Sequence, residues 1–244
     1  MKRRMGLSSA TVPALSADEL ARVCTAAGGS ADLRIGRGHR WEHGDYAHLF
    51  DALSVEFVGL SVNLGESLQA DAVPEPIASL IRRHRIPVRC FLSRNIDQQP
   101  VLNEARRGRD RLRALLGDVD ILVEVHKPLP KLADAVAAIR VLECEAVIDN
   151  RGVYVAAGAD ESAAVDFARE FGRAIQVKGF STDDAEGRHI PLSSCMETLR
   201  FTEALLDAAP VAPVTIETKH SDWQADVRTV HTLCSATQNG RGTE

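Results

Sequence analysis

The chain has 244 residues, of which 45% are hydrophobic and 26% are charged, and its formal net charge is −5. These proportions are ordinary for a globular protein, and the negative net charge argues against nucleic acid as a partner. No apolar run approaches the roughly 20 residues of a membrane helix, and the start lacks a secretory signal. We therefore expect a cytoplasmic protein with no membrane partner. The five scattered cysteines predict reduced thiols.

Short apolar runs along the chain predict eight strands, and each run is followed by a segment with helical patterning. Strands that alternate with helices form right-handed βαβ units and hence a parallel sheet. The predicted strands are Met5–Ser8, Ala31–Ile35, Val55–Ser61, Pro87–Leu92, Val119–Val125, Ala146–Asp149, Ala174–Lys178 and Pro213–Thr218.

Eight helices are predicted between and after these strands. Ser16 and Glu19 form a capping box ahead of a helix that runs to about Ala27, where two glycines stop it. The same device starts the last two helices, at Ser194 to Glu197 and at Ser221 to Gln224. The other helices are predicted near Asp45–Leu53, Glu75–Arg85, Asn103–Leu116, Leu129–Leu142 and Glu161–Phe171.

Eight such units form either an open, doubly wound sheet or a closed barrel. The glycine fingerprint of a dinucleotide fold is missing after the first strand. Acidic residues instead follow strands five, six and eight, and only a closed barrel brings all strand ends to one mouth. We therefore predict a single-domain (β/α)8 barrel over residues 1–237, with a flexible polar tail at 238–244.

Three of the strand runs end in an acid, namely Glu124, Asp149 and Glu217. A carboxylate at the end of a buried strand costs desolvation energy unless a partner compensates for it. Three of them in matched positions suggest that the strand ends converge on a cation. The alternative is that each acid caps the helix that follows or pairs with an arginine in the barrel.

The residues Glu124-Val125-His126, Asp149, Val177-Lys178 and Glu217, together with Leu15–Leu20 and Ala31–Arg34, resemble the xylose-isomerase-like superfamily of sugar-phosphate isomerases and epimerases. The resemblance covers essentially the whole chain and implies a TIM barrel. It also implies a divalent cation held by the two glutamates, the aspartate and a histidine in strand seven.

The family also has a histidine three residues after the strand-six aspartate. Both histidines are absent here, because the strand-seven position is Gln176 and the position three residues after Asp149 is Gly152. The resulting metal set of Glu124, Asp149, Gln176 and Glu217 consists of oxygen ligands, which favours Mg²⁺ or Mn²⁺ over Zn²⁺. Alternatively the chain binds no metal, and one or more of the clustered carboxylates takes up a proton.

The resemblance implies an isomerase or epimerase that acts on a small polyhydroxy carbonyl compound, such as a sugar. Glu124 and Glu217 are the predicted catalytic pair, because strands five and eight face each other across a barrel mouth and acid–base transfer needs groups on both sides of the substrate. A bound cation would assist by polarising the substrate oxygens. The alternatives are a dehydratase of the same fold, or a metal-independent or non-catalytic barrel.

The second βα loop is unusually long and rich in basic and aromatic residues. We predict that Arg34 and His39 contact an anionic or polyol substrate and that Trp41 walls the pocket. The alternative is an ordinary surface loop with a tucked tryptophan.

Three further residues complete the predicted substrate-binding set. His126 shares the face of Glu124 and either binds a substrate hydroxyl or supports the site from behind. Lys178 contacts a carbonyl or carboxylate of the substrate, or else forms a salt bridge with Asp149 or Glu217. Lys219 follows Glu217 at the mouth and is alternatively a solvated residue.

Ten arginines form a basic cluster between residues 82 and 113. An abasic-site endonuclease of the same superfamily would need phosphate contacts, but that class binds several zinc ions through many histidines, which this chain lacks. We predict a solvated helical face, or alternatively a subunit interface of a homodimer. The arginines are Arg82, Arg83, Arg85, Arg89, Arg94, Arg106, Arg107, Arg109, Arg111 and Arg113.

Overall fold

A computed structural model of the protein describes residues 3–65, 68, 72–126, 131–184 and 187–239. Eight parallel strands pair in chain order and the eighth pairs back with the first, so the sheet is a closed barrel. The predicted (β/α)8 barrel is thereby confirmed. The strands are β1 (Met5–Ser8), β2 (Gly29–Ile35), β3 (Ser54–Asn63), β4 (Val88–Phe91), β5 (Ile121–Glu124), β6 (Glu145–Asp149), β7 (Gly172–Val177) and β8 (Val214–Ile216).

Nine α-helices lie within the described ranges, one more than the sequence predicts. The additional helix, α6, follows β6 directly, and its N-cap is Asp149, whose side chain accepts a hydrogen bond from the Gly152 amide. It has only seven residues, which is too short for a clear helical period. The helices are α1 (Ala17–Ala26), α2 (Ala47–Ala52), α3 (Glu75–His84), α4 (Gln99–Leu116), α5 (Leu132–Leu142), α6 (Asn150–Ala156), α7 (Glu161–Phe171), α8 (Met196–Ala208) and α9 (Trp223–Asn239).

Of the three predicted capping boxes, only the first forms. The Ser16 hydroxyl accepts from the Glu19 amide while the Glu19 carboxylate accepts from the Ser16 amide. The prediction at Ser194 is wrong, because this serine is the last residue of a 3-10 helix, Leu192–Ser194. The N-cap of α8 is Cys195, whose side chain makes no capping hydrogen bond. At α9 the accepting side chain is Asp222, which bonds the Ala225 amide at 3.3 Å, rather than Ser221.

Two predicted boundaries fall partly outside the described residues. The start predicted for α5, at Leu129, lies in the segment 127–130, which is not described. The predicted tail begins inside α9, because this helix runs to Asn239, and residues 240–244 lie outside the described part. Within the described part, every helix is too short or too polar to cross a membrane.

The barrel interior changes from apolar to charged along its axis. A small plug of Phe57, Leu122, Val147 and Ala174 fills the lower layer. Above it, buried polar side chains project inward from the strands, among them Asp32, Arg89, Glu124, Gln176 and Thr215. Period-two alternation explains this pattern, since inward residues of a barrel strand are two positions apart. The polar layers lie toward the carboxyl ends of the strands, where TIM-barrel sites occur.

Candidate active site

A cavity of about 1110 Å³ opens at the carboxyl ends of the strands. Among the described residues, basic side chains dominate its charged lining, with six lysines and arginines against two acids. This imbalance favours an anionic or oxygen-rich ligand over a cationic one. The charged lining residues are Arg34, Arg37, Asp149, Arg151, Lys178, Arg188, Glu217 and Lys219.

Glu217 follows β8 and lies between two cations. Its Oε1 is 3.0 Å from Nη2 of Arg34, and its Oε2 is 3.5 Å from Nζ of Lys178. Burial alone would raise the pKa of Glu217, but Lys178 and Arg34 outweigh it and hold that pKa well below its usual range. Glu217 is therefore a permanent anion, and a carboxylate with so low a pKa is a weak base.

Asp149 ends β6, and the chain engages both of its oxygens. Oδ1 accepts the Gly152 amide at 2.7 Å, and Oδ2 is 2.5 Å from Nζ of Lys178. Burial raises the pKa of Asp149, but the nearby Lys178 charge and both hydrogen bonds lower it below its ordinary value. The helix cap and the salt bridge, which were alternatives to a metal-ligand role, are both present.

A side-chain clamp fixes the backbone of Lys178 at the end of β7. The Asn150 amide group accepts the Lys178 N–H at 3.2 Å and donates to the Lys178 carbonyl at 2.9 Å. The same Nδ2 also donates to Thr202 Oγ1 at 3.0 Å. Burial lowers the pKa of Lys178, but Asp149 and Glu217 together raise it well above its ordinary value. The ammonium therefore stays charged in a fixed position.

Glu124 ends β5 and pairs with Arg89 of β4, whose Nε lies 3.0 Å from Glu124 Oε2. Both side chains are at most 1% exposed. Burial, together with the charges of Asp149 and Glu217, raises the pKa of Glu124 to about 7 despite the opposing charge of Arg89. Among the described acids at the mouth, Glu124 is thus the one suited to exchange a proton near neutral pH.

The placement of Arg89 corrects the sequence prediction, which put it in a solvated arginine cluster. Its guanidinium carbon lies 4.4 Å from the Phe91 ring centroid, and Nη1 donates to the Leu60 carbonyl at 2.9 Å. Arg82 and Arg107 of that cluster are exposed, as predicted. The missed signal is the alternation along β4, where Arg89 lies between two outward apolar residues, Val88 and Cys90.

His126 connects Glu124 to the cavity. Its Nδ1 is 3.6 Å from Glu124 Oε1, and its ring lies 5.0 Å from that of Phe91. The His126 side chain is 48% exposed and lines the cavity, whereas Glu124 is behind it and not on the cavity wall. Burial lowers the pKa of His126, so the imidazole is neutral at neutral pH and able to accept a proton.

Gln176 lies two residues before Lys178 on the same face of β7, one layer deeper. Its Nε2 donates to Asp32 Oδ2 at 3.2 Å, and Ser8 donates to Asp32 Oδ1 at 2.7 Å. Within the described residues, Gln176 Oε1 has no hydrogen-bond partner. Burial and the charge of Glu217 raise the pKa of Asp32. Asp32 was not among the predicted site residues, although it lies two positions before Arg34 on the same face of β2.

The long loop after β2 is only partly at the site. Arg34, predicted to start this loop, belongs to β2 itself and lines the cavity together with His39 of the loop and the exposed rim residue Lys219. Trp41 does not: it is 0% exposed in the hydrophobic core, edge-on to Tyr46 at 5.9 Å between ring centroids. The alternative of a tucked tryptophan is therefore correct, because the indole gains more from burial than from a place on the wet cavity wall.

His189 is a cavity residue that no sequence pattern indicated. Its Nδ1 accepts the Lys219 amide at 3.1 Å, so its proton, when neutral, is on Nε2. Burial and the charge of Lys178 lower the pKa of His189 to about 4. The residue belongs to the loop between β7 and α8, where an isolated bridge pairs Gly179 with Ile190. Loop conformations of this kind depend on tertiary contacts and not on local periodicity.

The spacing of Glu124, His126 and Asp149 suits a divalent cation, but the positive side chains around them would repel it. Glu124, His126 and Asp149 can each bring one ligand atom to within 4.8 Å of the others. Each acid of the predicted metal set nevertheless has a cationic partner from the chain: Arg89 for Glu124, Lys178 for Asp149, and Arg34 and Lys178 for Glu217. A cation bound by the predicted four-ligand set would therefore compete with these three basic side chains, whereas Gln176 Oε1 has no hydrogen-bond partner among the described residues.

Comparison with known proteins identifies solved structures of the same fold. A xylose isomerase domain containing protein from Salmonella typhimurium LT2 is 15% identical with a TM-score of 0.72, covering 98% of each chain. A xylose isomerase domain protein from Alicyclobacillus acidocaldarius is 17% identical with a TM-score of 0.67, covering 98% of this chain and 100% of that one. A probable 3-DHS dehydratase from Bacillus anthracis is 14% identical with a TM-score of 0.63, covering all of both chains.

Other structures of this fold, at 12% identity or below, include one with zinc, one in complex with magnesium, and two epimerases of sugar compounds. No protein-family model matches the sequence, and no curated protein matches it. The chain thus has the fold of the xylose-isomerase-like TIM barrels, the superfamily that its sequence resembles.

Proposed function

We propose that the protein is an isomerase or epimerase that moves a proton at a carbon next to the carbonyl of a small polyhydroxy substrate. One observation carries this proposal: His126, with Glu124 3.6 Å behind it, lines the same cavity as Lys178 and Arg34, the two cations that contact Glu217. Removing a proton beside a carbonyl needs both a base and a positive charge near the developing oxyanion.

Glu124 and His126 supply the base in this proposal. The pKa of Glu124, about 7, is close to the pH at which the protein would work, which is where acid–base catalysis is most efficient. His126 reaches the cavity and Glu124 lies 3.6 Å behind it, so His126 takes the substrate proton and Glu124 stabilises the resulting imidazolium or accepts the proton. Glu217, the other predicted catalytic acid, instead holds Arg34 and Lys178 in place.

Lys178 and Arg34 supply the positive charge. When the proton leaves the carbon, the electron pair moves to the carbonyl oxygen, and an ammonium and a guanidinium beside that oxygen stabilise the enediolate. Return of the proton to the former carbonyl carbon, with transfer of the neighbouring hydroxyl proton to the former carbonyl oxygen, completes an isomerisation. Return of a proton from solvent in the cavity to the opposite face of the same carbon completes an epimerisation. His39 and Lys219, on the cavity wall and rim, are placed to bind the remaining polar groups of the substrate.

The comparisons support this reaction class without specifying the substrate. Two structures of the same fold are epimerases of sugar compounds. A probable dehydratase also shares the fold, and dehydration can begin with the same proton abstraction before a hydroxyl leaves from the next carbon. A dehydratase is therefore the second candidate, and the products formed in a single assay separate it from the first.

The test is solvent deuterium uptake followed by NMR. The purified protein is incubated in D2O with sugars, keto acids and inososes, and we expect deuterium at a carbon next to the carbonyl of at least one compound. Glu124→Gln should slow this uptake by about 10²- to 10⁴-fold, the usual contribution of a general base. Glu143→Gln is the matched control, because Glu143 is exposed just after α5. If no compound exchanges, the proposal is wrong.

A further inference from the structure

We propose that the ammonium of Lys178 and a divalent cation are alternative occupants of one site, and that in this protein Lys178 is the resident cation. The proposal deepens the proposed function, because it names the charge that stabilises the reacting oxygen. Its evidence is independent of that function, since it rests on where the ammonium lies. The chain would then need no added metal at its active site.

The position of Nζ is the first argument. It lies 2.5 Å from Asp149 Oδ2 and 3.5 Å from Glu217 Oε2, so it bridges two of the three acids that were predicted to hold a metal. The other Asp149 oxygen already accepts the Gly152 amide. A divalent ion must approach a carboxylate oxygen to about 2.0–2.6 Å. An ion bound to Asp149 would consequently be placed against the ammonium, and the two like charges would repel.

The second argument is the charge balance of the site. Glu124, Asp149 and Glu217 carry three negative charges when ionised, and Arg89, Lys178 and Arg34 oppose them in direct ion pairs. A cation gains binding energy from uncompensated negative charge. Because these acids are already compensated, the site offers a divalent ion little net attraction, even though Glu124, His126 and Asp149 have suitable spacing.

The third argument is that the ammonium is held rigidly and still has capacity to bind substrate. Asn150 bonds both the amide and the carbonyl of Lys178, so the backbone that carries this side chain is held beside the acids. A lysine ammonium has three N–H donors. Among the described residues, Asp149 and Glu217 account for two of them. The third can donate to an oxygen atom in the cavity that Lys178 lines.

The test measures Mn²⁺ binding to the full-length protein by electron paramagnetic resonance of the free ion, without substrate. We expect the wild-type protein to show no site tighter than millimolar, and its thermal unfolding temperature to be unchanged by millimolar Mn²⁺. Lys178→Met removes the ammonium and leaves Asp149 and Glu217 without it. This variant should bind one Mn²⁺ at least about tenfold more tightly than the wild type, equivalent to about 1.4 kcal/mol.

Two further variants test whether the gained Mn²⁺ site is specific to the loss of the Lys178 ammonium and whether it depends on Asp149. Lys219→Met removes a basic residue from the rim of the same cavity and should leave Mn²⁺ affinity unchanged. Adding Asp149→Asn to Lys178→Met should abolish the gained site. A wild-type protein that binds Mn²⁺ more tightly than millimolar overturns the proposal, and so does a wild-type protein that purifies with one bound divalent ion. Both wild-type measurements decide the matter even if Lys178→Met fails to fold, and neither depends on catalytic activity.

Discussion

The buried carboxyl group of Glu124 should make the folded protein less stable as the pH rises through the neutral range. The pKa of Glu124 is about 7 in the folded protein, whereas its ordinary value, which applies to the unfolded chain, is 4.5. Between pH 4.5 and pH 7 the folded state holds a proton that the unfolded state has lost, so the free energy of unfolding falls as the pH rises. One pKa unit corresponds to about 1.4 kcal/mol, which gives a loss of about 3 kcal/mol from this group between pH 4.5 and 8.

Glu124→Gln should remove this loss, because glutamine is nearly isosteric and does not ionise. Its side-chain oxygen can take the place of the carboxylate oxygen that lies 3.0 Å from Arg89 Nε in the wild type. The assay is urea unfolding of both proteins at several pH values from 4.5 to 8. The difference between the two curves isolates Glu124, since both proteins share the other groups whose pKa values are shifted, including His126 and His189, and their contributions cancel.

The expected result is that Glu124→Gln gains about 3 kcal/mol relative to the wild type between pH 4.5 and pH 8. The exposed control, Glu143→Gln, should run parallel to the wild type across the whole range. A Glu124→Gln curve that also runs parallel to the wild type would refute the reasoning. It would mean that the carboxyl group ionises in the folded protein as easily as in the unfolded chain.

Four other substitutions test the surroundings of the site. Arg89→Met leaves Glu124 buried without its cationic partner, and should lower the free energy of unfolding by about 3–5 kcal/mol in urea titrations at pH 8. Gly59→Ala places a methyl group 2.6 Å from Arg89 Nη2, and should cost about 1–3 kcal/mol by the same measurement. Arg151→Ala and Lys219→Ala remove charge from the cavity lining. Each should weaken binding of inorganic phosphate, measured by calorimetry, by roughly two- to fivefold.

A specific result would contradict each of these predictions. Wild-type stability for Arg89→Met would show that the pair with Glu124 contributes nothing. An unaffected Gly59→Ala protein would mean that the Arg89 guanidinium is free to move. Phosphate affinity that is insensitive to both lining substitutions and to salt would show that the basic excess of the cavity does not attract anions.

The fold was predictable because the polypeptide repeats one simple pattern. The acids Glu124, Asp149 and Glu217 close three separate apolar runs, and only a closed barrel brings such distant strand ends together. Their convergence at one mouth was therefore a topological consequence of the sequence. The boundaries were less accurate, since the strand predicted at Pro213–Thr218 spans only Val214–Ile216 in the structure.

The partners of the acids were harder to predict, although part of the signal was present. Alternation along β4 and β2 turns Arg89 and Asp32 inward, and strict counting by two from Phe91 and Arg34 would have found both. Trp41 and His189 belong to loops, whose conformations depend on contacts with the rest of the chain and not on a local period. Lys178 also could not be assigned from the sequence, because both a substrate contact and salt bridges to Asp149 or Glu217 fit its position at the end of β7.

The most direct test of the account is deuterium uptake from solvent by a carbonyl substrate, measured with the wild-type protein in the presence and absence of a strong chelator. We expect deuterium at the carbon beside the carbonyl at the same rate in both conditions, and a large loss of rate in Glu124→Gln. Absence of exchange with every sugar, keto acid and inosose would contradict the proposed reaction. Exchange that disappears with the chelator and returns with Mn²⁺ would contradict Lys178 as the resident cation.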